Sequence, residues 1–342
     1  MYVRPAAAAA AAVLGLTLCA LGGPASAFQP LPRAAGPLAG PVAGRPGALA
    51  APAMSAASVE KPLAGPGAGP GAGRAAWPLP GLVGLPVVYA HRGASAYAPE
   101  NTLASIDLAA RLGIDWVEND VQRTKDGVLV VIHDDTLKRT TDVQKAFPDR
   151  SPWQVKDFTA AEIAQLDAGS WFRPEFAGVR VPTLREYLDR VQRNRGRLLL
   201  EVKRPELYPG IEQQILDLLG TTGWLDSRHV ASRLVVQSFS ADSVRLVHRL
   251  RPDLVTAFLG APPEGDLARY AEFSDRINPW FREISAEWVA GVHALQGPHG
   301  RAMEVDTWIV DDPDTTRRVV DMGVDGIITN APDVVRRTVY GY

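Results

Sequence analysis

The sequence predicts a (β/α)8 TIM barrel over residues 81–342, and three observations carry that prediction. Eight short apolar runs recur along this stretch, most of them separated by segments with helical periodicity. The length is close to the ~250 residues such a barrel takes. Several runs end in polar or aromatic residues, where a barrel carries its active site.

The first run, Val87-Val88-Tyr89-Ala90, switches abruptly to His91-Arg92-Gly93. A loop, Ala98-Pro99-Glu100-Asn101, and a helical segment lead to the second run, residues 116–121, where Glu118 and Asp120 interrupt an apolar strand. Side chains alternate along a strand, so these two carboxylates share a face and could hold one cation. The third run, residues 128–132, ends at His133-Asp134-Asp135. Asp126-Gly127 suits a two-residue hairpin turn, which pairs Lys125 with Val128 and sets Asp120 opposite His133. The connection between the second and third runs is too short for a helical crossover, so the barrel is expected to be distorted there.

Residues 136–182 form an insertion after the third strand, with helical character from Ala160 to Leu166. It is read either as a wall or lid over the site or as a structural cover. Further strands are expected at 198–202, 234–239, 255–259, 303–309 and 326–329. Helices are expected at 184–192, 211–219, 241–250, 286–295 and 314–322.

Ahead of the barrel the composition changes twice. Residues 1–27 carry an export pattern: Arg4, an apolar run from Ala6 to Leu21, and Pro24-Ala25-Ser26-Ala27, with cleavage expected after Ala27. An uncleaved membrane anchor is the alternative for the same run. Lipid attachment at Cys19 is disfavoured, because Leu16-Thr17-Leu18 sets a bulky leucine where a small residue usually stands. Residues 28–80 collapse to Ala, Gly and Pro and read as a disordered linker.

Cys19 is the only cysteine, so the expected mature protein has no disulfide and depends on an ordinary core. With 46% hydrophobic residues it has the material for one. A net charge of -2 gives no electrostatic case for nucleic acid or an acidic membrane surface. Nothing after the signal is long and apolar enough to span a bilayer, so a secreted or extracytoplasmic protein is expected.

Three motifs resemble the glycerophosphodiester phosphodiesterase family: AHRGASAYAPENT at 90–102, VENDVQRTKDGVLVVIHDDTLKRTT at 117–141 and LLLEVKRP at 198–205. Weaker echoes in VQSFS, TAFLG, DTWIV and GVDGIITNAPD extend the resemblance from about Val87 to Asp333. It implies hydrolysis of a small glycerophosphodiester to sn-glycerol 3-phosphate and an alcohol, with one divalent cation, Mg2+ or Ca2+. It also implies His91 and His133 as general acid and general base, in an order it leaves open, and Glu118, Asp120 and Glu201 as metal ligands.

Residue chemistry points the same way. A phosphodiester needs its charge neutralised, a nucleophile activated and the departing alkoxide protonated. Carboxylates holding a hard cation meet the first need, and Glu118, Asp120 and Glu201 all interrupt apolar strands, where an unpaired acid is costly. The competing reading pairs each with Lys or Arg inside the barrel, Lys203 being the obvious partner of Glu201. Imidazole exchanges protons near neutral pH, which suits His91 and His133.

Arg92 would grip phosphate as a planar fork and Lys203 as a point charge. Glu100 is expected to orient His91 or Arg92. Trp308 matches a family tryptophan lining the substrate site, a core role being the alternative, and Asp311 stands where family members commonly have asparagine. His229, His248, His293 and His299 read as ordinary. Rival functions are hydrolysis of larger phospholipids or glycerophosphate wall polymers, and a barrel that binds a phosphorylated ligand without turnover.

Overall fold

The computed structural model describes residues 84–341. The expected signal, linker and Cys19 lie outside the described residues. Nine strands form one sheet: β1 Val87–Ala90, β2 Trp116–Arg123, β3 Leu129–Val131, β4 Arg197–Val202, β5 Leu234–Ser238, β6 Val255–Leu259, β7 Arg276–Asn278, β8 Glu304–Thr307 and β9 Gly326–Thr329. All except β3 pair in parallel in chain order, and β9 closes back on β1. Helices such as Leu103–Arg111, Ile211–Thr221 and Ala241–Leu250 lie on the connections and Pro332–Tyr340 follows β9, completing a (β/α)8 barrel.

Two expected staves are corrected. The run 128–132 is not part of the barrel: β3 runs antiparallel to the end of β2, on the edge where β1 pairs with its beginning. β1 contacts β2 only at Trp116 and Val117, and β3 takes over at Val121–Arg123, so the distortion falls where it was expected. The missing stave is β7, in which only Ile277 is apolar. A three-residue strand flanked by Arg276 and Asn278 presents no apolar run to detect.

The β2–β3 turn differs too. Thr124 donates its N–H to Val128 O, and Gly127, at φ 85°, donates to Thr124 O, so the loop holds three residues instead of two. Lys125 N–H is taken by Phe158 O of the insertion and does not pair with Val128. The register therefore shifts by one, and Asp120 O accepts from Ile132 N–H (3.0 Å) rather than lying opposite His133.

Alternate residues of each stave face inward, and Tyr89, Trp116, Leu199, Val235, Ala257 and Ile328 pack the interior. Toward the bottom, the largely enclosed Arg276 meets Tyr89 OH (2.6 Å), Asp306 (2.8 Å) and Glu304 (2.7 Å). Gly326 makes room for this group, since a Cβ there would stand 2.2 Å from Asp306 Oδ1. Following the inward parity toward the top gives Glu118, Asp120 and Glu201, then His91, Lys203, Phe239 and Trp308 beyond the strands.

The insertion has a core of its own, including Leu137, Val155, Phe158, Ile163 and Leu166, closed against Val130 and Ile132. Its helix, Ala160–Ile163, is shorter than expected and begins at a capping box on Thr159. Among the described residues no helix is long and apolar enough to cross a membrane.

Candidate active site

β2 and β4 lie side by side with Asp120 in register with Glu201, and Glu118 is the preceding inward position of β2. One oxygen from each of these three buried carboxylates lies within 4.8 Å of the others. Lys203 Nζ stands 3.0 Å from Glu201 and 3.3 Å from Asp120, and Arg92 Nε stands 3.2 Å from Asp120. Pairing with interior cations and a metal-ligand arrangement thus occur in one cluster.

Burial, then the charges of Asp120 and Glu201, raise Glu118 well above the usual carboxylate range. Burial and the Asp120 charge raise Glu201 to about 8. Burial works on Asp120 in the same sense, but Arg92 and Lys203 outweigh it and hold this acid far below its ordinary value. A raised pKa at Glu118 and Glu201 means that a divalent cation binding there would compete with protons. Asp120 Oδ1 is buried and accepts no hydrogen bond, its charged neighbour being Lys203 Nζ at 3.3 Å. An all-oxygen donor set of three buried carboxylates fits a hard cation of the Mg2+ or Ca2+ kind.

At the end of β1, Arg92 and Gly93 both take positive φ, 54° and 81°. A Cβ on Gly93 would stand 2.3 Å from Ser105 Oγ, so this turn requires glycine. The turn aims Arg92 N–H at Glu118 Oε2 (2.9 Å) and Arg92 Nη1 at Glu100 Oε1 (2.8 Å). Glu100 therefore contacts Arg92, one of the two partners expected for it.

His91 Nδ1 meets Asn330 Oδ1 at 2.7 Å, while Asn330 Nδ2 donates to Asp311 Oδ2 at 2.8 Å. The Asp311 carboxylate only accepts, so it orients the amide, and His91 carries its hydrogen on Nδ1. His91 Nε2 is left 4.0 Å from Glu118. Burial, then the Arg92 charge, lower the His91 pKa to about 3.

His133 is brought to the site by Gln122 rather than by strand register. Gln122 is the next inward residue after Asp120, and its Nε2 donates to the carbonyls of Ile132 (2.9 Å), His133 (3.1 Å) and Asp134 (2.8 Å). Tyr208 OH donates to Gln122 Oε1 (2.8 Å), which fixes the amide. His133 Nδ1 meets the Asp134 carboxylate (2.8 Å), so this ring also carries its hydrogen on Nδ1. A positive charge on the His133 ring would lower the pKa of Asp120, so the ring lies within electrostatic reach of the acid cluster.

Lys203 Nζ lies 5.5 Å from the ring centre of half-exposed Phe239, whose edge meets Trp308 at 5.8 Å. Trp308 Nε1 donates to Asn278 O (2.8 Å), so this indole is tied to β7 and forms an aromatic side of the mouth. All nine expected site residues thus fall at one end of the barrel. The other four histidines lie elsewhere; His229, for example, is tied to Asp226 and stacks beside Trp224.

Several contributing residues went unread in the sequence. Gln122 was legible in principle, since period two from Glu118 and Asp120 leads to it. Asn101, which donates to Asp120 Oδ2 (2.8 Å), sits inside the quoted PENT motif. Asn330 is 239 residues from His91, and no local pattern connects the two.

Residues 91–334 match the model of the glycerophosphoryl diester phosphodiesterase family. A glycerophosphodiester phosphodiesterase of Bacillus subtilis is 34% identical over 267 residues, covering 74% of this chain and 86% of that protein. One from Caldanaerobacter subterraneus subsp. tengcongensis is 36% identical over 253 residues, covering 73% and 96%. Among solved structures, an Oleispira antarctica phosphodiesterase in complex with the product sn-glycerol-3-phosphate aligns with a TM-score of 0.64 at 28% identity, covering 75% of this chain and 97% of that one. With the motif spacing, the barrel and the buried acid cluster all in agreement, this chain belongs to the glycerophosphoryl diester phosphodiesterase family.

Proposed function

We propose that this chain is an exported hydrolase that cleaves glycerophosphodiesters to sn-glycerol 3-phosphate and an alcohol, using one divalent cation and the imidazoles of His91 and His133. The observation that carries the reading is the gathering of three buried carboxylates within 4.8 Å of one another, beside Arg92 and Lys203. The product named for the Oleispira antarctica structure supports glycerol 3-phosphate as the phosphate-bearing half.

Glu118, Asp120 and Glu201 would hold the cation, which when bound neutralises charge on the phosphate's non-bridging oxygens. Arg92 and Lys203 bind the same phosphate with the N–H groups their acids leave free. One imidazole takes a proton from the attacking water as its oxygen bonds to phosphorus, and the other, starting as the imidazolium, gives its Nε2 proton to the alcohol oxygen as the bond from that oxygen to phosphorus breaks. Both rings have Nε2 for this, because Nδ1 is engaged by Asn330 in one and Asp134 in the other. Phe239, whose ring packs on Trp308, and Trp280, whose backbone bridges to Trp308, are 50% and 38% exposed and favour a second substrate reading in which the alcohol is apolar, as in a lysophospholipid.

Glycerophosphocholine should be turned over with Mg2+ or Ca2+ and not in EDTA, followed as glycerol 3-phosphate released. His91→Ala and His133→Ala should each abolish turnover while far-UV circular dichroism stays unchanged. Activity in both variants would refute the acid-base assignment, and undiminished activity in EDTA would refute the cation. A parallel lysophospholipid assay decides between the two substrate readings. Export rests on the pattern of residues 1–27, and predicts secreted protein whose first residue is Phe28.

A further inference from the structure

We infer that Arg139, carried by the insertion, is a positioning residue that locks His133 and Arg92 into one arrangement. The inference rests on the hydrolase reading above. Arg139 Nε and Nη2 donate to the two oxygens of Asp134 at 2.8 and 2.9 Å. Its Nη1 and Nη2 donate to the two oxygens of Glu100 at 2.7 and 2.8 Å. Each of these carboxylates has a second partner in the site: Asp134 accepts from His133 Nδ1 and Glu100 from Arg92 Nη1, both at 2.8 Å. A single planar guanidinium therefore spans the supports of an acid-base imidazole and of a phosphate-binding arginine.

The insertion determines where that guanidinium sits. Leu137 is fully buried in the insertion core and its N–H is bonded to Trp153 O at 2.9 Å. Val155 N–H closes on Asp135 O at 2.9 Å, so the backbone on the near side of Arg139 is clamped as well. Thr140 and Thr141, the next two residues, are buried, and the Trp171 ring lies 5.9 Å from the guanidinium. The insertion thus acts on the site through this side chain, beyond walling it.

The chemistry needs arginine. Lysine has one nitrogen and cannot make paired bonds to two carboxylates at once. Without Arg139, Asp134 keeps His133 but loses both bonds that fix its own plane, and it can rotate off Nδ1. His133 then populates both neutral tautomers, and the fraction with Nε2 free for proton transfer falls. Arg92 keeps Glu118 and Asp120, so phosphate binding is disturbed less than turnover.

The test compares wild type, Arg139→Ala and Arg139→Lys with glycerophosphocholine and with the 15N spectrum of the His133 ring, assigned through His133→Gln. Arg139→Ala is expected to lower kcat by roughly 10- to 100-fold with little change in KM, in the range lost when an outer partner of a site residue is removed. Its His133 spectrum should show mixed tautomers where wild type shows one. Free guanidinium ion should restore part of the lost kcat by filling the gap between Glu100 and Asp134, while Arg139→Lys should recover less than wild type. Wild-type kcat in Arg139→Ala, or a loss of kcat with the His133 tautomer unchanged and no guanidinium rescue, would overturn the inference. Should Arg139→Ala not fold, Arg139→Lys carries the same spectral test. If wild type itself shows no turnover, the hydrolase reading fails, whereas a single unchanged tautomer in both proteins with no guanidinium rescue defeats the positioning role alone.

Discussion

The carboxylate of Asp311 accepts from Asn330 N–H (2.7 Å), Asn330 Nδ2 (2.8 Å) and Thr329 Oγ1 (3.0 Å), and through that amide it sets which atom meets His91. This carboxylate therefore acts one step behind the imidazole. Replacing Asp311 with alanine removes the acceptor that orients the Asn330 amide and leaves Ser95 Oγ (2.8 Å), which can donate or accept, as its remaining side-chain partner besides His91, so the amide can turn its NH2 toward His91 Nδ1, where two donors repel. Asp311→Ala is expected to lower kcat on the order of tenfold with KM little changed, and Asp311→Asn to lose less, since its side-chain oxygen can still accept from Asn330. Steady-state kinetics on both variants checks this, and an Asp311→Ala enzyme as fast as wild type would rule it out. At this scale Glu118, Asp120 and Glu201 were legible because acids stand out in apolar strands. Asp134 was quoted only as a neighbour of His133, and nothing in the run His133-Asp134-Asp135 distinguishes the aspartate that meets the imidazole from the one that does not.

The insertion is held at its far end by Asp167, whose carboxylate accepts the N–H groups of Gly169, Ser170 and Gly178, each at 2.8 Å. Burial raises the Asp167 pKa, but these donors outweigh it and bring the group below its ordinary value. The folded pKa is thus below the unfolded value of about 3.9. The stabilisation is fully present above that value and is lost as pH falls through the folded one. Protection factors of the Gly169, Ser170 and Gly178 amides, corrected for the intrinsic pH dependence of exchange, should consequently fall below about pH 4, before the barrel strands lose protection. Asp167→Asn should remove that acid step and weaken protection at neutral pH. Protection that persists at these amides until the barrel itself unfolds would contradict this. The same element shows how far local patterns reach: Asp126-Gly127 announced a hairpin, but its loop holds three residues, each engaged from outside the hairpin. Lys125 N–H donates to Phe158 O, Asp126 Oδ1 accepts from Ala160 N–H, and Gly127 O accepts from Gln214 Nε2.

Across the whole molecule, the barrel closes over a charged floor in which Arg276 meets Asp306, Glu304 and Tyr89 below the site. Asp306 is fully buried, and removing its counter-ion leaves an uncompensated charge in the barrel. Arg276→Met is expected to destabilise the fold by about 3–5 kcal/mol, the range for breaking one partner of a buried pair. The urea midpoint measures it, and an unchanged midpoint would show that the floor contributes nothing. By itself the sequence determined the barrel, the apolar staves and the nine residues gathered at its mouth, because strand and helix periodicity and motif spacing are local properties of the chain. Only the tertiary structure decided that β3 stands outside the barrel, that β7 completes it, and that Gln122, Asn330 and Arg139 support the histidines. Those outcomes depend on which distant group satisfies each polar atom, and polar partners met across the fold leave no periodic trace in the sequence.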